Sequence, residues 1–193
     1  MRKFGNEKIW KIHWCSWKKL CNSKTDGGLG FRDLEIFNRA LLAKQCWRIL
    51  KSPDSLATRT LKGCYFPNCN FLEATKKYSG FYLWNSLMWG KGILEKGIRW
   101  RVGNGSSIRV YKDNWLPRPY TFKIISTPAI NVDTTVNNLF SSSGGWNLQL
   151  LKQNFLDCDV EAVLKIAIGS GSRDDSVIWN FEGNGVYSVK SGY

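Results

Sequence analysis

The chain has little of what most catalytic or membrane-embedded proteins need. Its 193 residues include one histidine, His13, and no G-x-S-x-G motif accompanies it, so nothing indicates a nucleophilic triad. No G-x-x-x-x-G-K-[ST] phosphate loop is present. No apolar run approaches the roughly 18 residues that span a bilayer. No apolar stretch of about 7–15 residues follows the basic N-terminus. We therefore expect neither a transmembrane segment nor a secretory signal.

The cysteines indicate reduced thiols rather than a disulfide framework. There are six in a chain without a secretory signal, which is typical of an intracellular compartment, the nucleus being one candidate. His13 with Cys15 and Cys21, or Cys64 with Cys69, could supply zinc ligands. Neither group contains a paired C-x2-C spacing, so we expect no metal ion or other cofactor in this chain.

Acidic residues are scarce in the first two-thirds of the chain. Residues 1–125 contain 24 lysines and arginines against 8 aspartates and glutamates, whereas residues 126–193 contain 4 and 7. This asymmetry indicates a polyanionic partner, nucleic acid before an anionic membrane surface. A solvated basic face without a ligand is the alternative. The ten tryptophans favour nucleic acid, because such grooves use cations for phosphates and rings for bases.

The spacing of apolar residues predicts a mainly helical α+β fold. Asp33 is a good N-cap for a helix over 34–51, which the Ser52-Pro53 pair ends. Further helical periods cover about 54–64, 84–94 and 157–168. Residues 117–146, rich in Pro, Ser and Gly, are predicted to form a linker with a helical turn near 136–140.

Two short β-hairpins complete the prediction. The first has arms at 98–102 and 108–111 around a Gly-Asn-Gly turn, and the second has arms at 177–181 and 186–189. The chain stops soon after the second hairpin. We therefore expect the fold to be incomplete at its C-terminus, with residues 177–193 lacking packing partners.

Five cations are candidate nucleic-acid contacts. Lys44, Arg48 and Lys51 line up along a helix that is apolar on two other sides, so they form a narrow exposed stripe. Arg99 and Arg101 share one face of the first predicted hairpin. The alternative for each set is a solvated strip with no ligand.

Asp174 and Asp175 form the adjacent carboxylate pair that two-metal phosphoryl-transfer sites often contain. They follow a Gly-Ser-Gly-Ser run, in what should be a polar loop, and no other acidic cluster lies beside them. We expect them to be loop residues, and we assign no catalytic residue.

Long motifs occur in a characteristic order along nearly the whole chain. They are KTDGGLGFRDL (24–34), FNRALLAKQCWR (37–48), GIRWRVGNG (97–105), DNWLP (113–117) and GVYSVKSGY (185–193). In these motifs the chain resembles plant LINE-type (non-LTR) retrotransposon reverse transcriptases. The similarity falls in the region between the polymerase core and the reverse-transcriptase zinc-binding domain.

The resemblance implies a fragment without a catalytic centre. Residues 1–125 would be a basic thumb- or connection-like region, and 126–193 a linker with the truncated start of the zinc-binding domain. The aromatic-x-Asp-Asp motif of the palm is absent, the zinc ligands would lie beyond Tyr193, and no ribonuclease H domain is present. Divalent metal is expected only in the full RNA-directed DNA polymerase, so we expect this chain not to be an enzyme.

The function that follows is at most nucleic-acid binding. RNA, DNA or a hybrid would be bound with weak sequence preference, and no membrane partner is expected. Two alternatives stay open: a non-enzymatic nucleic-acid or protein adaptor retained by a host, and a translated remnant without function.

Overall fold

The computed structural model describes residues 15–76, 81–118, 121–142, 144–168 and 173–193. Within these ranges the fold is α+β and mainly helical, as predicted. None of the described helices has both the length and the hydropathy of a membrane span. The elements in chain order are α1 Trp17–Cys21, α2 Leu34–Lys51, α3 Leu56–Tyr65, α4 Tyr82–Leu94, β1 Ile98–Arg101, α5 Leu148–Asn154, α6 Asp157–Leu164, β2 Ser176–Trp179 and α7 Val189–Gly192.

The chain divides into two compact units, residues 1–38 and 39–193. In the first unit the rings of Trp17 and Phe31 stack with their centroids 5.7 Å apart. The second unit contains α3 to α7, both strands and most of α2. The boundary predicted at residue 125 is a different one, because it separates two regions of the polymerase that the sequence resembles. It stays a prediction.

Helix α2 has the predicted bounds because its cap is local. One oxygen of the Asp33 carboxylate, Oδ1, accepts hydrogen bonds from the backbone N–H groups of Glu35 and Ile36, at 2.9 and 3.2 Å. These N–H groups have no partner within the helix, so the cap satisfies donors that would otherwise need water.

A first hydrophobic core lies among α2, α3 and α4. The fully buried Trp84 of α4 stacks on Tyr65 with ring centroids 4.6 Å apart, and Phe66 and Phe71 pack around it. Helices α2 and α4 approach closely at Gly90, where a Cβ atom would lie 2.7 Å from backbone atoms of α2. Because the residues at this crossing are small, the two helices pack closely enough for the aromatic rings beside the crossing to contact one another.

A second core surrounds Trp115 and consists largely of loop residues. The helical turn predicted near 136–140 is present at Val136–Leu139, and both end residues are fully buried. Phe122 is buried as well. The predicted linker therefore packs into a core, because its apolar side chains meet those of 102–116 and of α5 and α6.

The two predicted hairpins do not form, because their arms find partners elsewhere. Strand β1 pairs antiparallel with β2, with Ile98 opposite Trp179. Residues 108–110 instead bond to 134–136: Val110 N–H donates to the Thr134 carbonyl at 2.9 Å. At the C-terminal hairpin the turn is present, with Trp179 N–H donating to the Gly185 carbonyl at 2.9 Å, but the second arm is not a strand and leads into α7. The strands predicted to begin at 98 and 177 are therefore present, but they pair with each other and not with the second arms of their own hairpins.

The C-terminal segment is packed, contrary to the prediction that it would lack partners. Trp179 and Tyr187 are buried in the first core, with ring centroids 4.7 Å apart. The Tyr187 hydroxyl donates to the Ala40 carbonyl at 3.0 Å, and the Trp179 indole donates to Ser191 Oγ at 2.9 Å. The segment thus completes a core that α2 and α4 leave open.

Candidate nucleic-acid interface

Two of the three cations in the basic stripe of α2 form hydrogen bonds with the C-terminal segment of the protein. Lys44 Nζ donates to the backbone carbonyl of Tyr187 at 2.6 Å, and Lys51 Nζ donates to that of Val177 at 2.7 Å. Burial and the nearby Arg101 lower the pKa of Lys51. Arg48 is exposed and donates to Gln45 on its own helix, at 3.3 Å. Two of the three predicted contacts therefore hold the C-terminal segment, which leaves Arg48 facing solvent.

Arg99 and Arg101 lie on one face of β1, as predicted, but in different environments. Arg99 is half-buried, and its Nε donates to Asn180 Oδ1 at 2.8 Å. Burial, with a contribution from Arg101, lowers the pKa of Arg99. Arg101 is exposed, opposite Ser176 in the sheet. The pairing of β1 with β2 thus brings Arg99 to Asn180, the residue that follows β2, and presents Arg101 to solvent.

Both arginines line a cleft of about 560 Å³ at the sheet. Arg173 and Lys165 also line it, so four cations meet two carboxylates, those of Asp174 and Glu182. Arg173 and Lys165 were not among the predicted contacts, because no local sequence pattern connects them to β1. The closeness of Arg173 to the end of β1 follows only from the pairing of the two strands.

The Asp174-Asp175 pair is a structural element of this cleft. Asp175 accepts three backbone hydrogen bonds, from the N–H groups of Gly103, Gly105 and Ser107, at 2.8, 2.9 and 2.9 Å. Asp174 accepts one from the Asn104 side chain at 3.2 Å. The loop in which the sequence predicted a hairpin turn is therefore bound to carboxylates from the other end of the chain.

The residues weighed as zinc ligands do not converge in the part of the chain that the structure describes. No group of three or more His, Cys, Asp or Glu side chains there could hold a metal ion. Cys15, Cys21, Cys64 and Cys69 are free thiols. His13 lies outside the described residues.

Two plant proteins of Arabidopsis thaliana are similar to this chain. One, named as an uncharacterized mitochondrial protein, is 44% identical over 107 residues, which are 55% of this chain and 70% of that protein. The other, named "Putative ribonuclease H protein", is 30% identical over 193 residues, covering 95% of this chain but 30% of its own length. No protein-family model and no solved structure matches the chain.

The two matches cover different shares of their relatives. The chain spans less than a third of the ribonuclease H-named protein, whose activity therefore does not transfer with the similarity. The match to the mitochondrial protein is closer, and it covers more than two-thirds of that protein. This chain therefore belongs to the same family as the uncharacterized mitochondrial protein of Arabidopsis thaliana.

Proposed function

We propose that this chain is a retrotransposon-derived fragment that binds nucleic acid without catalysing a reaction on it. Its source would be the region of a LINE-type reverse transcriptase between the polymerase core and the zinc-binding domain. The motif order along the chain supports this origin. The similarity to a plant protein named for ribonuclease H, a class of enzyme that acts on nucleic acid, supports the coarser statement that the chain is related to retrotransposons.

The observation that carries the proposal is the cation-rich cleft beside the sheet. Arg101 and Arg173 are exposed there, and no described carboxylate lies within ion-pair distance of either one. Unpaired guanidinium groups in a concave site suit the phosphate oxygens of a nucleic acid strand. Contacts of this kind give affinity without sequence preference.

A titration with labelled oligonucleotides at increasing salt tests the proposal. The logarithm of affinity should fall with the logarithm of salt concentration by about 0.7–0.9 per phosphate neutralised. Arg101→Ala should reduce that slope by about one. Arg99→Ala should reduce it little, because the Arg99 guanidinium is bound to Asn180. Lys152→Ala, an exposed change on α5, is the control and should leave the slope unchanged.

The outcomes separate the alternatives. Undetectable binding at low salt would leave the remnant or a protein adaptor as the better account. If Arg48→Ala lowers the slope and Arg101→Ala does not, the interface lies on α2 instead. The same preparation should extend no primer above background, because both carboxylates of the Asp174-Asp175 pair are bound to the loop at 103–107.

A further inference from the structure

The loop of residues 103–107 and the segment of residues 173–175 are held together at one end of the cleft. Besides the three hydrogen bonds to Asp175, their backbones touch at Gly103, where a Cβ atom would lie 2.3 Å from the Arg173 carbonyl oxygen. Any side chain at position 103 would push the two segments apart. The contact therefore depends on both the Asp175 carboxylate and the glycine.

Each of the joined segments carries a cation of the cleft next to the contact. Arg101 lies two residues before Gly103, and Arg173 lies two residues before Asp175. Both side chains are exposed and line the same cavity. The contact therefore fixes the backbone positions from which the two arginine side chains extend.

We infer that Arg101 and Arg173 form one phosphate-binding site, and that Asp175 is the residue that positions them around it. The ligand class is a phosphodiester of a nucleic acid strand, and the inference rests on the proposed function. Two guanidinium groups that line one cleft repel each other when no anion lies between them, and a shared phosphate relieves that repulsion through charge-assisted hydrogen bonds. The contact between the two segments preorganises this site, because it sets the backbone positions of both arginines before the ligand binds.

Substitution of the two neighbouring carboxylates distinguishes positioning from charge. Asp174 lines the cleft and Asp175 follows it in the chain, so Asp174→Asn and Asp175→Asn each remove one negative charge at or next to the cleft, which by itself should strengthen binding to a polyanion. Asp175→Asn also replaces one of the two carboxylate oxygens with an NH₂ group. Because Oδ1 accepts from Gly103 and Gly105 and Oδ2 accepts from Ser107, the amide can no longer accept all three bonds. We expect Asp175→Asn to weaken binding of a labelled oligothymidylate about tenfold, as the loss of one charge-assisted contact would. Asp174→Asn should leave it equal or tighter.

A second comparison needs no change in the contact itself. Arg101→Ala and Arg173→Ala should each lower the salt slope by about one. The double variant should lower it by about as much as either single variant, because the phosphate is held only while both guanidinium groups bind it and is already lost with the first substitution. This comparison decides the matter even if circular dichroism shows that Asp175→Asn does not fold.

The results separate the two proposals. If the wild-type chain fails to bind the oligothymidylate, the proposed function fails. If it binds, but the double variant lowers the slope by about two, Arg101 and Arg173 contact separate phosphates and the shared site is overturned. Tighter binding by Asp175→Asn, like that expected of Asp174→Asn, would overturn the positioning role.

Discussion

The two hydrophobic cores seen in the described part of residues 39–193 are stabilised in different ways. The first packs aromatic rings between helices, with Trp84 stacked at its centre. The second packs loops around Trp115, and a fully buried carboxylate, Asp159, lies among them. Helices satisfy their own backbone groups, so the first core holds chiefly through ring packing. Loops leave N–H groups unpaired, and the second core therefore needs a buried acceptor.

Asp159 supplies that acceptor for the loop at Ile125 and Ser126. Its Oδ2 accepts the backbone N–H of each, at 3.0 and 2.7 Å, and the Ser126 hydroxyl as well. Arg118 pairs with its Oδ1 at 2.8 Å. Burial acts to raise the pKa of Asp159, but the hydrogen bonds from Ser126 and Ile125 and the charge of Arg118 together lower it. Removal of a ring should thus damage one core, and removal of a charge the other.

The largest effect is expected from Trp84→Ala in the first core. The change removes three aromatic contacts and leaves a cavity that the surrounding helices cannot close, at a cost of about 3–5 kcal/mol in the free energy of unfolding. Chemical denaturation measures it. Phe81→Ala, at a ring that is 78% exposed, is the control and should change stability by less than about 0.5 kcal/mol. Similar losses from both would show that Trp84 is not central to the first core.

Asp159→Asn should destabilise the second core through the loss of a charge, and it should lower the free energy of unfolding by about 3 kcal/mol. The amide has nearly the same shape, but it leaves the charge of Arg118, whose side chain is 17% exposed, without its partner. Denaturation of the matched variant Asp133→Asn gives the control. Its ion pair with Lys112 lies at the surface, so the loss there should stay below about 1 kcal/mol. Equal losses would mean that burial adds nothing to the Arg118–Asp159 pair.

A smaller effect is expected from pH, and it sharpens the comparison. The pKa of Asp159 is lower in the folded chain than in the unfolded one, where it should be about 3.9. The folded state therefore gains stability from this group above about pH 4 and loses it as pH falls through the folded pKa. The stability difference between wild type and Asp159→Asn should narrow in acid, as measured by denaturation at a series of pH values. The difference between wild type and Trp84→Ala should stay nearly constant.

The candidate site was predictable in part. The sequence predicted that Arg99 and Arg101 lie on one face of a strand, and in the structure they do. It also named Lys44 and Lys51, whose ammonium groups bind carbonyls of the C-terminal segment instead. A helical stripe shows that two cations point the same way, but it does not show whether solvent or another segment lies in front of them.

The sequence by itself determined the helices, because their information is local. The Asp33 cap, the apolar period and the Ser52-Pro53 stop all lie within or next to α2, and its predicted bounds are those observed. The tertiary structure decided the pairing of the strands. Alternation and a Gly-Asn-Gly turn favour a hairpin, yet the residues of β1 pair with residues of β2 that lie 75 to 81 positions further along the chain. The loop instead gives three of its N–H groups to Asp175. Strand hydrogen bonds are made between segments, so the partner that satisfies the most groups is found only when the whole chain folds.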